Sequence, residues 1–212
     1  MGSLRRTNNC VELTAKNIGE EVVLTGWIQR RRDHGGVIFV DLRDRRGITQ
    51  VVFSPEVDSA VHEKAHQLRS EYVLLVRGDV APRLKGTVNS NLATGEIEIN
   101  VKELKILNES KTPPFMIEDD QDVAETLRLK YRYLDLRRPS VASGIILRHK
   151  LTSAVREFLN GKDFLDIETP MLTKSTPEGA RDYLVPSRVN PGSFNALPQS
   201  PQLFKQMHGL RL

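Results

Sequence analysis

Residues 30–46 crowd cations around one aromatic ring: Arg30-Arg31-Arg32, a His34-Gly35-Gly36 turn, Phe39, and Arg43-Asp44-Arg45-Arg46. Arginines suit phosphates and an exposed ring suits the face of an unpaired base, so the chemistry on offer is recognition of single-stranded nucleic acid. Each stacked base is worth ~1–3 kcal/mol, so one exposed phenylalanine rivals several phosphate contacts. The blander alternative makes Phe39 core and the arginines a solvated rim. Strand alternation favours the first reading: Phe39 shares a face with Val37 and Asp41, opposite Ile38, Val40 and Leu42.

A second polar constellation occupies residues 176–183 (TPEGARDY) and 197–206 (LPQSPQLFKQ). Glu178, Ser200, Gln202 and Lys205 stand there among prolines and glycine that restrict the backbone. Together they could read a small zwitterion, with a carboxylate for its ammonium, a lysine for its carboxylate, and Gln and Ser for orientation. On spacing alone, surface loops with ordinary ion pairs remain the stronger reading. There is no GxxxxGK[ST], GxGxxG, HExxH or GxSxG motif. Of the five histidines, only His62 and His66 are spaced i,i+4; they are expected to face solvent on a short helix, and no metal site is expected.

Strand-period segments must position the first constellation. Residues 21–32 (EVVLTGWIQRRR), 37–42 (VIFVDL) and 48–53 (ITQVVF) predict three strands separated by turns at 33–36 and 43–47. In residues 58–69, Val61, Ala65 and Leu68 recur at helical spacing, and residues 72–80 and 95–104 return to strand. Three strands, a helix between strands 3 and 4, and two further strands match the all-β, five-stranded OB-fold barrel, with another small barrel or sandwich as the alternative. This places a first domain at 1–108. Residues 109–126, with Pro113-Pro114 and an acidic run at 118–122, predict a linker. Residues 127–212 form a second, α/β part. It opens on LRLKYRYLDLRRP (127–139) and continues in a helix capped by Ser143 and ended by Gly161. That helix carries Ile146, Leu147, Leu151, Ala154, Val155, Phe158 and Leu159 on one stripe, and a strand at 164–168 follows it, stopped by Thr169-Pro170.

Bulk composition is compatible with these readings. The 212 residues carry 31 Lys+Arg against 27 Asp+Glu, a mild net charge of +4 that permits a nucleic-acid partner without requiring one. Cys10 is the lone cysteine, which excludes an internal disulfide and a cysteine metal site and suits a cytoplasmic location. The polar, basic N-terminus does not read as a signal peptide. No run approaches the ~18 apolar residues of a membrane span.

Longer strings carry a resemblance. Residues 27–53 (WIQRRRDHGGVIFVDLRDRRGITQVVF), 127–139, 164–188 (FLDIETPMLTKSTPEGARDYLVPSR) and 196–206 (ALPQSPQLFKQ) resemble bacterial-type aspartyl-tRNA synthetases, class II ligases. Asparaginyl-tRNA synthetases share the architecture, but TPEGARDYLVPSR favours the aspartate family. The resemblance implies that the OB-fold reads a tRNA anticodon, with Arg32, Phe39, Gln50 and Glu98 contacting bases beside Arg30 of the arginine run. It implies that Glu178, Ser200, Gln202 and Lys205 belong to an L-aspartate pocket, Lys205 pairing with the side-chain carboxylate. His34 and Gly86 resemble the non-discriminating members, which charge both tRNA(Asp) and tRNA(Asn). FLDIETP resembles motif 1, the homodimer element ending at Pro170.

Family members use ATP and Mg2+, held mainly by motifs 2 and 3, which are absent from these 212 residues. The chain is therefore expected to be the truncated N-terminal part of such a ligase, binding tRNA without activating aspartate alone. A tRNA-binding or generic single-strand-binding OB module without catalysis is the alternative. Gly161-Lys162-Asp163 departs from the family, which places Gly directly before Phe164.

Overall fold

The computed structural model describes residues 5–84, 86–175, 182–207 and 209, with the backbone alone for Lys205. Alternating apolar residues build β1 (Glu21–His34), β2 (Val37–Arg43) and β3 (Ile48–Phe53) as consecutive antiparallel strands. Helix α1 (Ser59–Ala65) follows, capped by Asp58, whose carboxylate accepts from the Val61 N–H at 2.9 Å. β4 (Val73–Pro82) and β5 (Ile97–Asn108) complete a closed barrel of order β1-β2-β3-β5-β4. Among the described strands only β3 and β5 pair in parallel, at Val51–Ile99 and Val52–Asn100.

Closure depends on β1 serving two neighbours. Its first half pairs with β4 and its second with β2, the two registers meeting at Trp27. Gly26 lies at that crossing, where a Cβ would stand 2.4 Å from the Arg43 carbonyl oxygen. An irregular register between Ile28 and Arg30 adds to the bend. Inside, Leu24, Ile28, Val40, Leu42, Val51 and Phe53 are among the fully buried side chains, each worth about 1.5–3 kcal/mol of apolar burial. Burial alternates along β2, so Phe39 and Asp41 point away from this core.

The N-terminal segment is stapled to the β2–β3 turn. The Asp44 carboxylate accepts from the Cys10 N–H at 2.8 Å, the Arg46 N–H at 2.7 Å and the Gly47 N–H at 3.0 Å, while the Thr49 hydroxyl donates to the Cys10 carbonyl. Burial, then the Asp44 charge, pushes the Cys10 thiol up to about 12, so it stays protonated. Asp44→Ala strands these donors and is expected to cost about 2 kcal/mol. Thermal unfolding followed by circular dichroism measures the loss.

Several boundaries differ from the sequence expectations. The first turn contracts to Gly35-Gly36, both at positive φ (61° and 77°), because a two-residue hairpin needs left-handed backbone at both positions. The helix predicted over 58–69 ends at Ala65, while β4 and β5 run on to Pro82 and Asn108. Residues 109–126 pack rather than dangle: Phe115 and Ile117 are buried with Leu134 in a small second cluster. Helices α2 (Glu125–Lys130) and α3 (Arg132–Asp135) belong with the barrel in one compact unit, Met1–Val141, so this unit extends beyond residue 108.

The other unit, Ala142–Leu212, contains most of α4 (Pro139–Asn160), the hairpin β6 (Tyr183–Pro186) and β7 (Phe194–Leu197), and α5 (Gln202–Met207). α4 starts at Pro139, not at a Ser143 cap. Proline suits the first helical position, and the Asp119 carboxylate accepts from the Ser140 N–H at 3.0 Å. These bonds from Ser140 hold the Asp119 carboxyl below the usual range. The reversal after α4 comes at Asp163 (φ 63°) rather than at Gly161. The Asp163 N–H donates to the Asn160 carbonyl and the Phe164 N–H to the Leu159 carbonyl, both at 3.1 Å, which is a Schellman ending with aspartate in the glycine position. No strand forms at 164–168 among the described residues, and Phe164, Leu165 and Ile167 are exposed. The α4 stripe is exposed as well.

Candidate nucleic-acid interface

A groove of about 810 Å3 crosses the outer faces of β1, β2, β3 and β5 between the loops that follow β3 and β4. Arg32, His34, Phe39, Gln50, Arg83 and Glu98 line it. Phe39 pairs with Arg32 on one side and Val52 on the other, which leaves its half-buried ring on the groove floor. A polar chain runs across the same four strands. Arg32 Nη2 donates to Asp41 Oδ1 at 2.7 Å and to Gln50 Oε1 at 3.3 Å. Gln50 Nε2 donates in turn to Glu98 Oε2 at 2.9 Å.

Burial raises the Glu98 carboxyl above its ordinary range, although the Gln50 bond and the Arg83 charge oppose this. Burial likewise lowers Arg83, against the pull of Glu98. The Arg83 Nε donates to the Ile97 carbonyl at 3.1 Å, while Nη2 is buried with no protein partner. A guanidinium with one unmet donor beside a carboxylate, an amide and an open ring offers hydrogen bonds to a base edge and a surface for a base face.

The raised Glu98 pKa has a defined sign. Charging this group costs stability, so its favourable contribution is full below the ordinary Glu pKa of about 4.3 and fades as pH rises through the higher folded value. Glu98→Gln therefore melts higher than the parent chain near neutral pH, and the gap closes in acid. Melting curves across that window check the direction.

The first constellation is only partly assembled here. His34 lines the groove at the end of β1, and Gly86 (φ 88°) lies between Leu84 and Thr87, which also line it. Arg30 does not; it turns to Glu118 at 3.6 Å. Of the aspartate-pocket candidates, Glu178 and the Lys205 side chain lie outside the described residues. Ser200 is exposed just before α5, and Gln202 is exposed as its first residue. Pro170 is exposed too. His62 is half-buried rather than solvent-facing, its ring centroid 4.9 Å from that of His66. Among the described residues no three His, Cys, Asp or Glu side chains converge on a metal position.

Arg83 was missed from the sequence, where a lone arginine after Pro82 carries no motif. Leu84, with 75% of its surface exposed, and Val57 on the opposite loop also line the groove. Asn100, another lining residue, had left a signal in the polar alternation of β5 with Glu98.

Residues 22–107 match the family of OB-fold nucleic acid binding domains, and residues 124–209 match the class II tRNA synthetases (D, K and N). Among similar proteins, the aspartate–tRNA(Asp/Asn) ligase of Desulfosudis oleivorans is 65% identical over 207 residues, covering 98% of this chain and 35% of that protein. The ligase of the same name from Caldanaerobacter subterraneus is 62% identical, with the same coverage. The chain thus spans about 35% of the length of the curated relatives it matches. Among solved structures, asparaginyl-tRNA synthetase from Pyrococcus horikoshii complexed with asparaginyl-adenylate aligns at TM-score 0.79 and 25% identity, covering 96% of this chain and 45% of that one. Aspartyl tRNA synthetase from Entamoeba histolytica aligns at 0.75 and 21% identity, covering 96% and 42%, a likeness of fold.

Proposed function

We propose that this chain supplies the anticodon-reading part, and some of the aspartate pocket, of an aspartate–tRNA ligase that forms aspartyl-adenylate and transfers aspartate to tRNA. The carrying observation is that Arg32, Phe39, Gln50 and Glu98, far apart in sequence, line one groove with His34 and Arg83. In this reading residues 1–108 bind the anticodon, 109–126 connect, and 127–212 begin the catalytic part. Ring stacking on Phe39 holds one loop base, the arginines meet phosphates and base edges, and Glu98 accepts from a base amine. Glu178, Ser200, Gln202 and Lys205 are assigned to the L-aspartate pocket, and a charged lysine selects aspartate over neutral asparagine. The exposed α4 stripe and residues 164–170 form a homodimer contact. ATP and Mg2+ supply the activating chemistry, and no described residue of this chain is assigned to hold them.

The relatives' Asp/Asn names, His34 at the groove rim and the side-chain-free Gly86 support charging of tRNA(Asn) as well. A small residue and a short imidazole leave the third anticodon base, C in one tRNA and U in the other, loosely gripped. Competition between a hairpin RNA bearing the aspartate anticodon loop and an unrelated single strand, at matched salt, tests the groove. Preference for the hairpin is expected; equal affinity would reduce the site to a generic single-strand binder. Aminoacylation of purified tRNA(Asn) by an enzyme carrying this chain tests the relaxed specificity, which fails if no product rises above background.

A further inference from the structure

Asp41 does not line the groove, yet it holds a residue that does. Its Oδ1 accepts from Arg32 Nη2 at 2.7 Å, with the carboxylate only 17% exposed and the arginine side chain 49% exposed. The same Arg32 nitrogen makes the weaker 3.3 Å bond to Gln50 Oε1, and Gln50 passes its Nε2 to Glu98. Asp41, Arg32, Gln50 and Glu98 sit on β2, β1, β3 and β5, four strands contiguous in the barrel.

We infer that Asp41 is a positioning residue for base recognition: it fixes the Arg32 guanidinium, and through it the orientation of the Gln50 amide, before RNA arrives. The inference rests on the proposed anticodon-reading role of the groove. An amide has two orientations related by a flip, and only one gives Oε1 to a donor and Nε2 to an acceptor. Arg32 and Glu98 together select that one, leaving one amide N–H and one oxygen lone pair uncommitted. The charge-assisted bond to Asp41 is the stronger of Arg32's two. Without it a long cation is free to follow phosphates, and the amide keeps a single partner.

Removing Asp41 also deletes a negative charge beside the groove, which by itself favours RNA of any sequence. The two effects have opposite signs, so selectivity separates them. The experiment measures dissociation constants of the full 212-residue chain, parent and variants. The probes are a hairpin RNA with the aspartate anticodon loop and the same hairpin with its three anticodon bases replaced. In Asp41→Ala the preference for the aspartate loop is expected to fall roughly tenfold, the loss of one charge-assisted hydrogen bond, while affinity for the altered hairpin holds or rises. Asp41→Asn keeps an acceptor and retains part of the preference, and both variants melt close to the parent. An Asp41→Ala chain that tightens on both hairpins with its preference intact overturns the inference and leaves the groove reading standing. A variant that loses preference only because its melting temperature collapses overturns it too. A parent chain with no preference overturns the groove reading, and this inference with it.

Discussion

Replacing Phe39 with alanine weakens binding of the aspartate-loop hairpin by roughly 5- to 140-fold, the span given by ~1–3 kcal/mol per stacked base. The ring lies on the outward face of β2, half-buried between Arg32 and Val52. The core residues Ile38 and Val40 on either side of it are untouched by its removal. Stability is therefore expected to change by less than about 1 kcal/mol, the worth of cross-strand neighbours. Binding and folding come apart in this variant. Phe39→Trp, which keeps an aromatic plane, should retain most of the affinity. Fluorescence anisotropy with labelled hairpin reads both variants, and an unchanged constant for the alanine form would remove Phe39 from the interface.

The largest expected effect on stability comes from a methyl group. At Gly78 a Cβ would stand 2.2 Å from the Asn100 carbonyl oxygen, 2.8 Å from its carbon and 2.9 Å from the Val101 Cα. All three are backbone atoms of β5, so no rotamer change relieves the clash. Gly78 pairs with Val22 on β1 and Val101 on β5, beside the irregular register between Arg77 and Gly78. Glycine there lets three strands of the barrel approach. Gly78→Ala is expected to cost about 3 kcal/mol or more by overpacking a rigid backbone, lowering the melting temperature by on the order of 10 °C. A variant melting within a degree or two of the parent would mean that β4 and β5 separate more easily than their ladder suggests.

The barrel strands were legible because period-2 burial leaves a direct trace: VIFVDL puts Ile38, Val40 and Leu42 inside and Phe39 outside, as alternation requires. The groove was legible in part. Arg32 and Phe39 announced themselves locally, whereas Gln50 and Glu98 came only through the family resemblance, since nothing in one sequence says that β3 lies beside β5. Arg83 stayed hidden because its role comes from burial and an unmet donor, which are properties of the closed barrel. Within residues 109–126, composition gave no sign that two apolar side chains, Phe115 and Ile117, suffice to pack part of a polar segment against Leu134. The strand read at 164–168 failed for the opposite reason. Its apolar residues are present, but a strand is defined by a neighbour, and none of the described residues supplies one.

Glu118 and Asp119 are consecutive, and they look in two directions. Glu118 receives the Gln29 amide at 3.2 Å and stands 3.6 Å from Arg30, while Asp119 receives the first turn of α4 through Ser140. Arg138 joins them, its Nε donating to the Glu118 carbonyl at 3.1 Å. Anyone cutting the gene for separate expression at codon 108 would discard this clasp and bare the β1 side chains it covers. A cut placed after Val141 keeps it whole.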